Sequence, residues 1–210
     1  MHLIEHQLRV LAMRFFRNVI AIVVLTSIVC GCASHEEGRD TFFANFRDVC
    51  LESSSSPNLA AHAADTSGWN TVAQAPFAVP LPLNLDLTNF HTWTKTLGQE
   101  TLVVITSNGW TRSHEPRLPV EACSMMATGV EGDALARVSQ WAQVEPNAAM
   151  PGASYFLFAD AGHRRIHLSE ADIASETQRG HAVFSLTIST QSNHTVANYV
   201  RLLPPDRNLQ

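Results

Sequence analysis

The stretch DAGHRRIHLSE, residues 160–170, gathers six ionisable groups within eleven residues of the 210-residue chain. On an extended strand, where alternate side chains share a face, His163, Arg165 and His167 would form a cationic strip able to bind a carboxylate or a phosphate. On a helix the two histidines, four residues apart, could instead clasp a metal, but Gly162 and the flanking strand pattern favour a hairpin. A second polar loop, TRSHEPRLP, offers His114, Glu115 and Arg117, which would converge with the strip if the loop folds over the sheet. Acid–base chemistry would require His114, His163 or His167 within hydrogen-bond reach of an acid such as Asp160 or Glu170. The bland alternative is a solvated strand face.

No catalytic frame accompanies these groups. No serine stands in GxSxG, and the chain contains no HExxH, no Walker lysine loop and no GxGxxG. Neither a metal nor a cofactor is therefore expected.

The four cysteines say more about location than about chemistry. Cys30 and Cys32 close the run MRFFRNVIAIVVLTSIVCGC, which opens with Arg14 and Arg17 and continues into an apolar core from Val19 to Val29, the layout of a secretory leader. As a helix that core would reach only about 16 Å, short of the roughly 20 residues that span a bilayer. The preceding MHLIEHQLRVLA carries Glu5 and two histidines, which suit a leader poorly and point to Met13 as the true start.

Val29-Cys30-Gly31-Cys32 resembles the lipobox of bacterial lipoproteins, with an aliphatic residue three before the cysteine and a small one just before it. The resemblance implies that Cys32 receives a diacylglycerol and heads the mature chain, because Gly31 is small enough to precede the cleavage point and Val29, before Cys30, is not. Ala33 after the anchor resembles lipoproteins sorted to the outer membrane, facing the periplasm. The alternative is an ordinary leader cut after Ala33, which would discard both thiols and leave a soluble periplasmic protein. A CxC metal site lacks a second ligand pair at suitable spacing.

Cys50 and Cys123 then remain, and an even count in an oxidising compartment predicts a disulfide; two buried free thiols are the alternative. Neither CxxC nor CxxCH occurs. The net charge of −5 becomes more negative once a leader holding Arg9, Arg14, Arg17 and Glu5 is removed, which argues against nucleic acid or an anionic lipid surface as partner. Lys95 is the sole lysine.

The elements that must position these groups follow from periodicity. DTFFANFRDVCLES places Phe42, Phe46, Val49 and Cys50 on one helical stripe, with Asp40 or Thr41 as N-cap. A second helix starts at Ser56-Pro57, carries Leu59, Ala60, Ala63 and Ala64 on its apolar side with His62 on the adjoining face, and ends at Gly68. NTVAQAPFAVPLPLNLDLTNF, with Pro76, Pro80 and Pro82, reads as an extended segment lying across the core or lining a groove. TLVVITSNGW is a strand ending in an Asn108-Gly109 turn, and VEACSMMATG a strand holding Cys123. GDALARVSQWAQV is a helix from Asp133 whose inner face is Leu135, Val138, Trp141 and Ala142. ASYFLFAD, HRRIHL, AVFSLTIST and TVANYVRLL supply the remaining strands; in the third, Ala182, Phe184, Leu186 and Ile188 alternate with residues expected to meet water.

The expected organisation is a leader (1–31), a tether (32–40), one domain (41–203) and a short tail (204–210). The expected fold class is α+β: a mainly antiparallel sheet of about five strands, with two N-terminal helices and one inserted helix packed on one face. Phe46, Cys50, the alanine-rich helix ending Gly68-Trp69 and a distant Cys123 in a strand resemble uncharacterised exported proteins of alphaproteobacteria, a resemblance that carries no functional residue with it. The function expected is that of a non-catalytic envelope module binding another protein or a small ligand through the outer sheet face or the proline-rich segment. A small periplasmic hydrolase or lyase is the alternative.

Overall fold

A computed structural model describes residues 37–82, 84–112, 116–128, 133–162, 164–191 and 194–204. The leader, Cys32, His114, Glu115, His163, Ser192 and Asn193 lie outside them.

Two helical pieces come first. Helix α1 (Glu37–Phe46) runs directly into a π-helical turn, Arg47–Leu51. It begins ahead of the Asp40 or Thr41 cap and reaches into the stretch assigned to a tether. The wider turn brings Val49, Cys50 and Leu51 inward together, beside Phe42 and Phe46, and all five are buried. Helix α2 (Pro57–Thr66) starts with proline where no amide hydrogen is needed, and Gly68, at φ +75°, lets the chain reverse so that the Trp69 amide donates to Ala64 O.

The strands are β1 (Asn70–Val72), β2 (Leu85–Leu97), β3 (Glu100–Thr111), β4 (Pro119–Thr128), β5 (Ala148–Met150), β6 (Ala153–Asp160), β7 (Arg165–His167), β8 (Ala182–Gln191) and β9 (His194–Leu202). They form one antiparallel sheet in the order β1-β2-β3-β4-β9-β8-β6-β5, and β7 shares the outer edge of β6 with β5. Where that edge passes from β5 to β7, the Asn147 side chain fills the ladder. It accepts from the Leu157 amide at 2.7 Å and donates to Leu168 O at 2.5 Å. The terminal strands are three residues long, and β1 covers only Thr92–Thr94 on the outer edge of the much longer β2.

The expectation of about five strands is thus corrected to nine among the described residues. The largest omission is β2, the longest strand, hidden behind the prolines of the preceding segment. The expected Asn108-Gly109 turn is also corrected, since both residues lie inside β3, paired with Thr88 and Leu87. Glycine is required there because a Cβ on Gly109 would sit 2.0 Å from Asp86 O. The actual β2–β3 reversal is Gly98-Gln99, with Gly98 at φ +64°.

Helix α3 (Ala134–Ala142) carries the chain across to the far half of the sheet. A short 3-10 turn (Glu170–Asp172) and helix α4 (Ile173–Gln178) then lead into β8. Helices α1, α2 and α3 cover one face, where Phe46, Val138, Trp93, Met125, Phe156 and Leu186 belong to the larger core. Helix α4 lies on the opposite face, where Ile173 packs with Leu157, Val183, Val200 and Leu202 in a second core. The one-sided arrangement is therefore also corrected: Val183, expected to meet water, is fully buried.

Cys50 and Cys123 form a disulfide with Cα atoms 5.5 Å apart, joining the π turn to the middle of β4. Beside it the buried Ser55 hydroxyl donates to Tyr199 O at 2.9 Å, and Tyr199 is the register partner of Cys123. Ser54 and Ser55 hold φ of 52° and 63°, a left-handed pair that these two attachments keep in place. Lys95 of β2 donates to Asn45 Oδ1 and Ser67 O and lies over the Trp69 ring, so the chain's one lysine ties both helices to the sheet.

A bridge closing a separation of 73 residues restricts the unfolded chain by about 4 kcal/mol in the loop-entropy account. Urea unfolding of the Cys50→Ala/Cys123→Ala double variant should therefore show a loss approaching that figure. An unchanged midpoint would mean that the helical arm is held without the bridge.

Candidate functional site

The ionisable residues singled out in the sequence do not assemble into one cluster among the described residues. Arg165 faces the helix side, where its guanidinium lies 3.6 Å from the Trp141 ring centroid and 5.2 Å from that of Phe158. It also donates to the Trp141 carbonyl, and burial pushes its pKa down. Trp141 in turn meets Tyr199 edge-on at 5.7 Å, and Tyr199 stacks on Phe184 at 5.1 Å. Arg165 thus closes an aromatic group, a contact of order 1 kcal/mol, with its charge turned onto π faces. His167 is exposed, and Asp160 accepts from the Gly162 amide. Arg117 pairs with Asp86 and donates to Thr111 O; Arg112 reaches the same carboxylate at 2.5 Å. Hydrogen bonds from Arg112 and Arg117, together with their charge, hold Asp86 below the usual carboxylate range.

Polar and apolar groups converge instead on the sheet face opposite α1–α3. A groove of about 540 Å³ lies there, floored by β6, β8 and β9. Register fixes its floor: Tyr155 pairs with Thr187 and Thr187 with Asn198, giving a polar row across three strands. The adjacent row, Leu157, Ser185 and Val200, is mostly apolar, and Leu202 lies further along the same side. One wall is the end of the proline-rich segment, Leu81 and Pro82, continuing into Asn84 and Leu85; the other is Glu170 and Ile173. The volume falls within the range of pockets that enclose small molecules.

Each wall has its own fixing. A one-residue bulge in β2 between Thr88 and His91, with Asn89 at φ 53°, exchanges the faces of that strand. Trp93 and Leu97 therefore point to the helices, while Leu85 and Leu87 point to the groove side. On the other wall, Ser169 and Asp172 form a reciprocal capping box, with the Ser169 amide 2.8 Å and its hydroxyl 2.6 Å from Asp172 Oδ2. That box sets the turn carrying Glu170. Glu176 of α4 is buried and accepts from His181 at 2.6 Å and from Arg179.

Burial pushes the Tyr155 phenol above its ordinary range, opposed by a hydrogen bond with Ser185 and reinforced by the nearby Glu170 charge. Asn198 Oδ1 is buried and finds no hydrogen-bond partner among the described residues, although unpaired buried acceptors cost about 1–3 kcal/mol. Among the described residues no group of three or more His, Cys, Asp or Glu could hold a metal, and no helix is long and apolar enough to cross a membrane.

Binding through the outer sheet face or the proline-rich segment was expected, but not the residues Tyr155, Thr187 and Asn198, which come from three strands and each stand on what reads as the wet side of its own. No protein-family model, no curated protein and no solved structure matches this chain.

The Glu176 carboxyl is held below its ordinary value of 4.5, first by the His181 hydrogen bond and then by Arg179, against the opposing effect of burial. A carboxyl with a depressed folded pKa stabilises above its unfolded pKa and loses that contribution as pH falls through the folded one. Glu176→Gln should therefore unfold at lower urea than the parent at neutral pH, and the gap should close on acidification below the ordinary carboxylate range. A gap that persisted in acid would show that packing, not the charge, supplies the difference.

Proposed function

We propose that the chain is an exported cell-envelope protein held to a membrane by a lipid on Cys32, and that its folded body is a non-catalytic module binding a small amphipathic molecule in the groove. Export and anchoring are supported by the basic-then-apolar leader ending at Gly31-Cys32, and by a disulfide of a kind that persists in oxidising compartments. The binding role rests on one observation above the others: a concave site of about 540 Å³ with a polar row beside an apolar one, on the sheet face that helices α1–α3 do not cover. Tyr155, Ser185, Thr187 and Asn198 supply hydrogen-bonding groups along a floor of paired strands. Leu85, Leu157, Ile173, Val200 and Leu202 supply apolar surface, worth about 25 cal/mol for each Å² taken from water.

Two measurements test the halves of this proposal separately. Intact-mass analysis of protein extracted from membranes should find a chain starting at Cys32 and carrying a diacylglycerol, and Cys32→Ser should release it to the soluble fraction. A mature chain starting after Ala33 would remove the anchor and leave the binding role standing. For the groove, Thr187→Phe should leave thermal stability intact while cutting the affinity of an apolar alcohol such as 1-hexanol at least tenfold, as read by amide shifts of β6, β8 and β9. Undiminished binding would place the ligand elsewhere.

A further inference from the structure

The lining of the groove also carries information about charge. Among the described residues that line it, Glu170 is the one carboxyl group, and none is a lysine, arginine or histidine. Among the described residues beside the proline segment, Arg112, which lines a neighbouring hollow with Leu81 and Pro82, is paired with Asp86, as is Arg117. On the other wall Arg179 and His181 are held by Glu176. Glu170 stands close enough to Tyr155 to influence its phenol, so the negative charge belongs to the polar row of Tyr155, Thr187 and Asn198. That row also contains the Asn198 amide, whose oxygen no donor among the described residues satisfies. The apolar residues lie beyond it, towards Leu202 and Leu85.

Resting on the groove as the binding site, we propose that it selects a cationic amphiphile: a single ammonium or protonated amine on an aliphatic tail. The ammonium sits at the Glu170–Tyr155 end, where a carboxylate faces it and the phenol, hydroxyls and amide of the row accept or share its three N–H bonds. The tail follows Leu157, Val200 and Leu202 towards Leu85 and displaces water from that end. An anionic amphiphile of the same length is disfavoured, since it would bring a second negative charge to Glu170 with no cation to receive it. Glu170 is exposed, and surface ion pairs are screened, so the selectivity is moderate, about tenfold between ammonium and carboxylate at low salt.

The test is an amide-shift titration of the whole protein with hexylammonium, 1-hexanol and hexanoate, matched in chain length and differing in head charge. The expected order is hexylammonium tightest, 1-hexanol intermediate and hexanoate weakest, with shifts on β6, β8 and β9. Glu170→Gln should collapse the three affinities towards that of the alcohol, Glu170→Lys should reverse the order, and high salt should narrow it. Equal affinities at the groove, or hexanoate binding best, would overturn the charge selectivity while leaving the groove as a binding site. Absence of groove shifts with all three probes would overturn both.

Discussion

A long antiparallel sheet has two faces, and covering the second one is the constraint on which this structure turns. Side chains alternate strictly along a strand, so every apolar residue that does not face the helices must find another cover or meet water. Helices α1, α2 and α3 bury the face that carries Trp93, Met125, Phe156 and Leu186. Among the described residues, α4 and the turn before it, with the proline-rich segment across from them, are disposed around the β6-β8-β9 part of the other face. They close over Ala159 and Val183 but leave a groove at the row of Tyr155, Thr187 and Asn198. A groove is the geometric consequence of a sheet only partly roofed.

The same constraint explains why β2 carries a bulge. Its C-terminal half must offer Trp93 and Leu97 to the helices, and its N-terminal half must offer Leu85 and Leu87 to the other core. A regular strand cannot do both with odd-numbered residues. One extra residue at Asn89-Phe90, opposite Ser107, inverts the alternation. The Asn89 side chain donates to Asn108 Oδ1 at 3.0 Å, which fastens the bulge to β3. Gly109, two residues before the end of β3, allows the β2 backbone to lie close enough for the register to resume.

Features set by local chemistry were legible in the sequence, and those set by tertiary contact were not. The Phe42–Cys50 stripe, the Gly68 reversal, the apolar side of β8 and the Cys50–Cys123 bridge follow from periodicity, glycine at a left-handed position and cysteine count, and each is present. Asn108-Gly109 misled because a glycine demanded by a neighbouring backbone looks the same in sequence as one demanded by a turn. The β2 strand was obscured because Pro76, Pro80 and Pro82 coloured a segment whose last part, from Leu85, has no proline at all. Arg165 looked like a free cation because nothing local announces that Trp141, 24 residues earlier, will lie beneath it.

The parts of the groove differ in how firmly they are held, and that difference bears on recognition. Its floor belongs to the interior strands β8 and β9 and to β6, whose exposed edge is closed by β5, β7 and the Asn147 side chain, so the spacing of Tyr155, Thr187 and Asn198 is set by the ladder and cannot adapt. Its walls are a proline-rich stretch without regular partners and a helix of six residues anchored by Ile173 and by the Glu176 contacts to His181 and Arg179. Local opening is cheapest where few backbone hydrogen bonds must break, which describes the walls and not the floor. Pro80 and Pro82 limit what the first wall can do, since each fixes one backbone angle and so reduces the freedom that binding would otherwise remove. A site of this build holds the positions of its hydrogen-bonding groups constant while its walls can shift, so under the proposed binding role a ligand would be chosen by head group at the floor and tolerated in tail shape at the walls.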